Sequence, residues 1–238
     1  MYGETLDYPA EDRELEGWLA YDDGRAGPRP GVLIIHQWMG VSDHERAVAS
    51  DLAEAGYVAL CADVYGKGDR PRDVQQAVEY ATAYRSGDRA LLRARLAAGL
   101  DALRAQDVCD PSRVGAIGYC FGGTAALELA RSGAPLRGVA SLHGGLNTPN
   151  AADAANIHGK VLALHGADDP VVPPEDVAAF QDEMRNAGVD WQLHSYGGAV
   201  HSFTIEGAGN DPSSGSAYDE RAHKRSWRLL MDFLRETV

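Results

Sequence analysis

The sequence predicts an α/β fold, a mostly parallel and twisted sheet with helices on both of its faces. Three observations predict it. Short runs rich in β-branched residues recur along the chain, and they are apolar throughout rather than alternating, as strands covered on both sides are. Stretches of helical period lie between these runs, so strand and helix alternate and the crossovers are parallel. No linker, internal repeat or low-complexity tract divides the 238 residues, so a single domain over 1–238 is expected.

The elements follow in order. Residues before the turn Gly27-Pro28-Arg29-Pro30-Gly31 read as an irregular start. Val32 to Ile35 is a buried strand, and Ser42 or Asp43 can cap the helix that follows, with Val48, Leu52 and Ala55 at helical spacing until Gly56. Tyr57 to Ala62 is a second strand. Two helical stretches come next, Asp73 to Arg85 and Arg89 to Gln106, broken at Ser86-Gly87-Asp88; the second carries Leu92, Leu96, Leu100 and Leu103 on one stripe. Strand Val114 to Gly118 leads into helix Thr124 to Arg131. Strands Gly138 to Leu142 and Lys160 to Leu164, helix Glu175 to Asn186, strand Trp191 to Tyr196 and an amphipathic helix from Tyr218 complete the alternation. In such a sheet the binding crevice lies at the carboxyl ends of the strands.

Composition narrows the partners. The chain has 22 Lys+Arg against 35 Asp+Glu, a net charge of −13, and that field repels phosphate backbones and anionic lipid heads. Neither nucleic acid nor a membrane surface is an expected partner. Three cysteines, Cys61, Cys109 and Cys120, form no C-x-x-C pair, which suits a reducing compartment. The N-terminus carries Glu4, Asp7, Glu11, Asp12 and Glu14 rather than a basic start and an apolar stretch. A cytoplasmic monomer or homodimer acting on a small molecule is the expectation.

Chemistry concentrates at Gly118-Tyr119-Cys120-Phe121-Gly122-Gly123, where an apolar strand runs directly into a helix. Glycines two positions either side of a central residue form the strand-turn-helix nucleophile elbow, here with sulfur at its tip. Side chains at 118 and 122 would collide with backbone, and the helix terminus below Cys120 favours thiolate. A base and its orienting acid are expected on later strand-end loops. His165-Gly166-Ala167-Asp168-Asp169 offers Asp169, with Asp168 as its competitor, and Gly197-Gly198-Ala199-Val200-His201 offers His201. His36, His143 and His165 also end apolar strands and read as hydrogen-bonded core residues. No zinc spacing joins them and no Walker lysine follows the glycines, so neither metal nor phosphate cofactor is expected. The developing oxyanion needs donors, which the backbone N–H of Phe121 and of Gln37 or Trp38 can supply.

These residues resemble the dienelactone hydrolases, the carboxymethylenebutenolidase-like proteins. The resemblance runs over His36-Gln37-Trp38-Met39-Gly40, the cysteine elbow, His165 to Asp169 with Val172-Pro173, His201-Ser202-Phe203, Ala217-Tyr218-Asp219 and Ser226-Trp227. It implies an α/β-hydrolase fold and a Cys120, His201, Asp169 triad that cleaves lactones or activated esters through a thioester, without cofactor or metal. Two departures matter. The best-known members carry glutamate at the position of Gln37, where it accepts the thiol proton, and an arginine after the histidine, where this chain has Phe203-Thr204-Ile205-Glu206. A neutral or bulkier ester is therefore expected, with Trp38, Tyr119 and Phe203 as apolar walls, Gln37 shaping the pocket and Arg85 or another arginine as a substitute cation. The alternatives from other classes are a ligand-binding or sensor module with little turnover, and a thiol redox protein.

Overall fold

The computed structural model describes residues 1–238. Its strands are β1 (Tyr2–Pro9), β2 (Glu14–Tyr21), β3 (Arg29–Ile35), β4 (Val58–Ala62), β5 (Cys109–Tyr119), β6 (Gly138–Leu142), β7 (Lys160–Gly166) and β8 (Trp191–Tyr196). They form one sheet in the order β1-β2-β4-β3-β5-β6-β7-β8. From β4 to β8 every pairing is parallel, and β1 and β2 join at one edge antiparallel.

This edge is a correction: where the sequence predicts an irregular start, the chain forms a hairpin. β2 alternates, burying Leu15, Gly17 and Leu19, while β1 is largely exposed. A hairpin covered on one face needs few apolar residues, and the acidic side chains that hide it in the sequence also guard the open edge of β1 against further pairing.

The helices are α1 (Asp43–Glu54), α2 (Val74–Arg85), α3 (Ala90–Arg104), α4 (Phe121–Arg131), α5 (Pro174–Ala187) and α6 (Glu220–Thr237). Alternate side chains of the sheet enter two cores. Leu33, Leu60 and Ala116 meet α3, α4 and α5 on one face, whereas Ile34, Cys61 and Ile117 meet α1 and α6 on the other. Local chemistry starts the helices where expected. Ser42 and Glu45 make a capping box on α1, and Asp73 caps α2 through the Gln76 N–H.

Beneath the sheet lies a buried ionic cluster. Glu128, on α4, accepts hydrogen bonds from Arg89 and Arg131 at 3.1 Å and from Arg93 at 2.7 Å, and Arg131 also pairs with Glu183 at 2.7 Å. Arg89 takes a left-handed backbone with φ 59° at the start of α3, and its buried guanidinium is held by Glu128 and Asn147. Removing the shared carboxylate would leave three guanidiniums without their common partner, and breaking a buried pair from one side costs about 3–5 kcal/mol. Glu128→Ala is expected to lose that much in urea unfolding; a loss below about 1 kcal/mol would mean that water reaches the cluster.

Candidate active site

The site is assembled at the carboxyl ends of β3, β5, β7 and β8. Between β5 and α4, Cys120 is held at φ 54° and ψ −116°, a conformation that costs an L residue energy and persists only where its surroundings dictate it. The surroundings are backbone. A Cβ on Gly118 would stand 1.9 Å from the Gly122 carbonyl oxygen, and one on Gly122 would stand 2.1 Å from that of Ile35. The chain can turn here only because both positions lack a side chain. The Cys120 N–H donates to the Leu142 carbonyl and its own carbonyl accepts from Gly123, so the half-buried sulfur sits at the N-terminal, partially positive end of α4.

Two later loops converge on it. His201 Nε2 lies 3.1 Å from Cys120 Sγ, and His201 Nδ1 lies 2.8 Å from Asp169 Oδ2. The other Asp169 oxygen accepts from the Val171 N–H at 2.8 Å. Asp168 is exposed, and its N–H ties the two loops together by donating to the Ala199 carbonyl. Of the two aspartates left open by the sequence, the geometry joins Asp169 to the imidazole. Burial pulls the His201 imidazole down, but hydrogen bonds to Asp169 and to the Cys120 sulfur outweigh it and raise its pKa to about 10. His143 touches the same ring, 5.5 Å between centroids; burial, then the charge of His201, hold it well below the usual range and thus neutral. Its Nε2 is 2.7 Å from Thr204 Oγ1, whereas His143 Nδ1 and His165 Nδ1 have no partner, so these two histidines are only partly the satisfied core residues that the sequence suggested. Cys61 and Cys109 are buried away from this chemistry, and burial raises both thiols, that of Cys109 to about 11.

Two amides face no protein acceptor. Neither the Trp38 N–H nor the Phe121 N–H donates a hydrogen bond within the protein, although their neighbours do. The Gln37 N–H is taken by Glu45 Oε1 at 3.2 Å, and the Trp38 carbonyl accepts from Tyr65 Oη at 2.8 Å. Of Gln37 and Trp38, the second is therefore the residue with a free donor. The bracing by Glu45 and Tyr65 was missed in the sequence. Ser42-x-x-Glu45 was visible as a capping box, but nothing in the residue order connects Tyr65 to this loop.

The remaining pocket residues divide. Gln37 and Trp38 are half-buried on the loop after β3, and Trp38 packs beside the core that Phe121 and Tyr65 also enter. Arg85, half-buried at the end of α2, donates Nε to its own helix at Ala81, forms no ion pair, and lies close enough to Tyr65 that its charge and that of Cys120 both act on the phenol. Tyr119 and Phe203 are corrections. Phe203 is wholly buried against His143 and Tyr196. Tyr119 points to the opposite face of the sheet from Cys120's helix, because successive strand residues alternate, and its ring meets His44 edge-on. There it helps line a cavity of about 870 Å³ with His44, Val48, Ile205 and Trp227, which none of Cys120, His201 and Asp169 lines.

A strand-turn-helix elbow at the centre of a largely parallel eight-stranded sheet, with the histidine and the acid on successive later loops, defines an α/β-hydrolase. The sequence profile of the dienelactone hydrolase family matches residues 15–238. Among solved structures, one named m3DLH superposes with a TM-score of 0.95 at 40% identity over 99% of this chain and 98% of its own. A dienelactone hydrolase-like promiscuous phosphotriesterase from metagenomic libraries superposes with a TM-score of 0.94 at 43% identity, again over 99% and 98%. A Synechocystis protein named "Putative carboxymethylenebutenolidase" is 27% identical over 237 residues, 93% of this chain and 92% of that one. The chain belongs to the dienelactone hydrolase family, and it is a hydrolase of lactones or esters.

The elbow sets its own test. Gly118→Ala is expected to cost at least about 3 kcal/mol in unfolding free energy, because the obstacle is a backbone oxygen that cannot rotate away. Gly197→Ala, with nothing within 4 Å of the added carbon, is expected to stay within about 0.5 kcal/mol of wild type.

Proposed function

We propose that this hydrolase cleaves small neutral esters and lactones through a thioester on Cys120, with His201 as acid and base and Asp169 as the group that orients the ring. The observation that carries the proposal is the unbroken hydrogen-bonded chain from sulfur to imidazole to carboxylate, 3.1 and 2.8 Å long, at the tip of a strained elbow. His201 holds the proton given up by the thiol, and the sulfur attacks the carbonyl carbon. As the S–C bond forms, the carbonyl π pair moves to oxygen, which the Trp38 and Phe121 N–H groups receive. Collapse breaks the C–O bond while His201 Nε2–H protonates the departing alkoxide, which in a lactone stays tethered to the acyl group. Water then gives its proton to His201 and attacks the thioester, and the C–S bond breaks to restore the sulfur.

A neutral acyl group is favoured by charge. The segment after His201 carries Glu206 and no arginine, and Gln37 is an amide, so these positions offer no charge partner to an acyl carboxylate. The phosphotriesterase relative supports a second electrophile, an activated phosphotriester, because a thiolate and two N–H donors can serve a phosphoryl oxygen as they serve a carbonyl oxygen.

With p-nitrophenyl acetate, Cys120→Ala and His201→Ala are expected to lower kcat/KM by at least about 10³-fold while leaving the protein folded, and Cys120→Ser to retain only a trace. Steady turnover separates this reading from a sensor, which would give at most one slow covalent event per chain; undiminished turnover by Cys120→Ala would sink it. The pH profile carries a sign. Because the folded-state pKa of His201 lies near 10, the protonated ring needed by the leaving group persists through neutral pH, and kcat/KM should fall only as pH passes about 10. Asp169→Asn, which removes a contact that raises this value, is expected to move that alkaline limb downward. A paraoxon-type triester should be turned over more slowly than the ester and lose its turnover in the same variants.

A further inference from the structure

We propose that His36 is a positioning residue that presets the oxyanion site, holding the Gln37-Trp38 peptide so that the Trp38 N–H is turned to the reacting centre. The inference rests on the thioester reading above. His36 ends β3 and is wholly buried, its ring lying 4.7 Å from that of Tyr65 and 5.9 Å from that of Phe121. Its two nitrogens have fixed and opposite partners. Nε2 lies 3.2 Å from the Val64 backbone nitrogen, which can only donate, so Nε2 carries no proton. The proton of the neutral ring is then on Nδ1, which lies 2.6 Å from the Gln37 carbonyl oxygen, a group that can only accept. Burial lowers the pKa of this imidazole despite the nearby carboxylates of Asp63 and Glu45, so the neutral form and its single tautomer persist at working pH.

The consequence lies one atom further along. The peptide is planar and trans, so its carbonyl and its N–H point in opposite directions. With the Gln37 oxygen drawn to His36, the Trp38 N–H is directed away from it, and this is one of the two amides with no acceptor in the protein. A flipped peptide would put a carbonyl oxygen where negative charge develops. The neighbouring contacts hold other bonds of the loop: Glu45 takes the Gln37 N–H, and Tyr65 donates to the Trp38 carbonyl. Only one further group reaches the Gln37 oxygen, the Gly40 N–H in a turn contact at 3.2 Å. The other oxyanion donor is tied to the same place, because Gly122, next to Phe121, is packed against the carbonyls of Ile35 and His36.

The test compares two reactions of the same sulfur. Acylation by p-nitrophenyl acetate develops an oxyanion, whereas alkylation by iodoacetamide displaces iodide from a tetrahedral carbon and develops none. His36→Phe is expected to lower the acylation rate, read from the p-nitrophenol burst, by roughly 10- to 100-fold, with the iodoacetamide rate at Cys120 within about twofold of wild type. His36→Gln, whose amide can donate to the Gln37 oxygen and accept from Val64, should recover most of the acylation rate. If His36→Phe does not fold, His36→Met, which fills similar space without donating, carries the same expectation. Wild-type acylation in the non-donating variant would overturn the proposal and assign the task to the Gly40 turn. Equal losses in acylation and alkylation would also overturn it, by showing a general disturbance of the elbow. Failure of the underlying reading looks different, since Cys120→Ala would then keep its turnover.

Discussion

The site depends on a close approach of backbone to backbone, where the first turn of α4 rests on the end of β3. Gly122 meets the carbonyls of Ile35 and His36 with no room for a methyl group, and Gly118 meets Gly122 in the same way. From this contact follow the strained φ of Cys120, the exposure of its sulfur at a helix terminus and the nearness of the Phe121 amide to the loop that carries the Trp38 amide. A relaxed backbone at residue 120 would turn the sulfur elsewhere, and the surrounding parallel sheet is what keeps it from relaxing.

Electrostatics divides the molecule into three parts. At the elbow, His201 is kept protonatable to high pH by a carboxylate behind it and a sulfur before it, while His143 beside it is held neutral by burial. On the β3 side, His36 is neutral as well, and its hydrogen-bond partners choose its tautomer. Beneath the sheet, Glu128 and its arginines form a closed cluster apart from the chemistry, and Arg89 accepts a left-handed backbone in order to join it. His36 and His143, two strand-end histidines that look alike in the sequence, thus differ in their surroundings, because each meets different donors and acceptors in the fold.

The fold departs from the sequence expectation for two physical reasons. The N-terminal hairpin has no clear signature in residue order because its strands are half-exposed and acidic, unlike the central strands buried on both faces. The sequence predicts Tyr119 and Phe203 as pocket walls, and the fold buries both rings. Adjacency along a strand means opposite faces, and the ring next to Cys120 accordingly lies on the α1 and α6 side with the large cavity.

What the sequence by itself determined is the alternation of strand and helix, the position of the elbow and the order of sulfur, acid and histidine along the chain. These are local properties, written in periodicity, in glycine spacing and in the ends of apolar runs. Only the tertiary structure decided which aspartate meets His201, which amide of the β3 loop is left without an acceptor, and that Glu45, Tyr65 and His36 each hold a different bond of that loop. Such choices depend on the direction of single hydrogen bonds between segments distant in sequence, and a direction in space has no signature in residue order until the sheet brings its strand ends together.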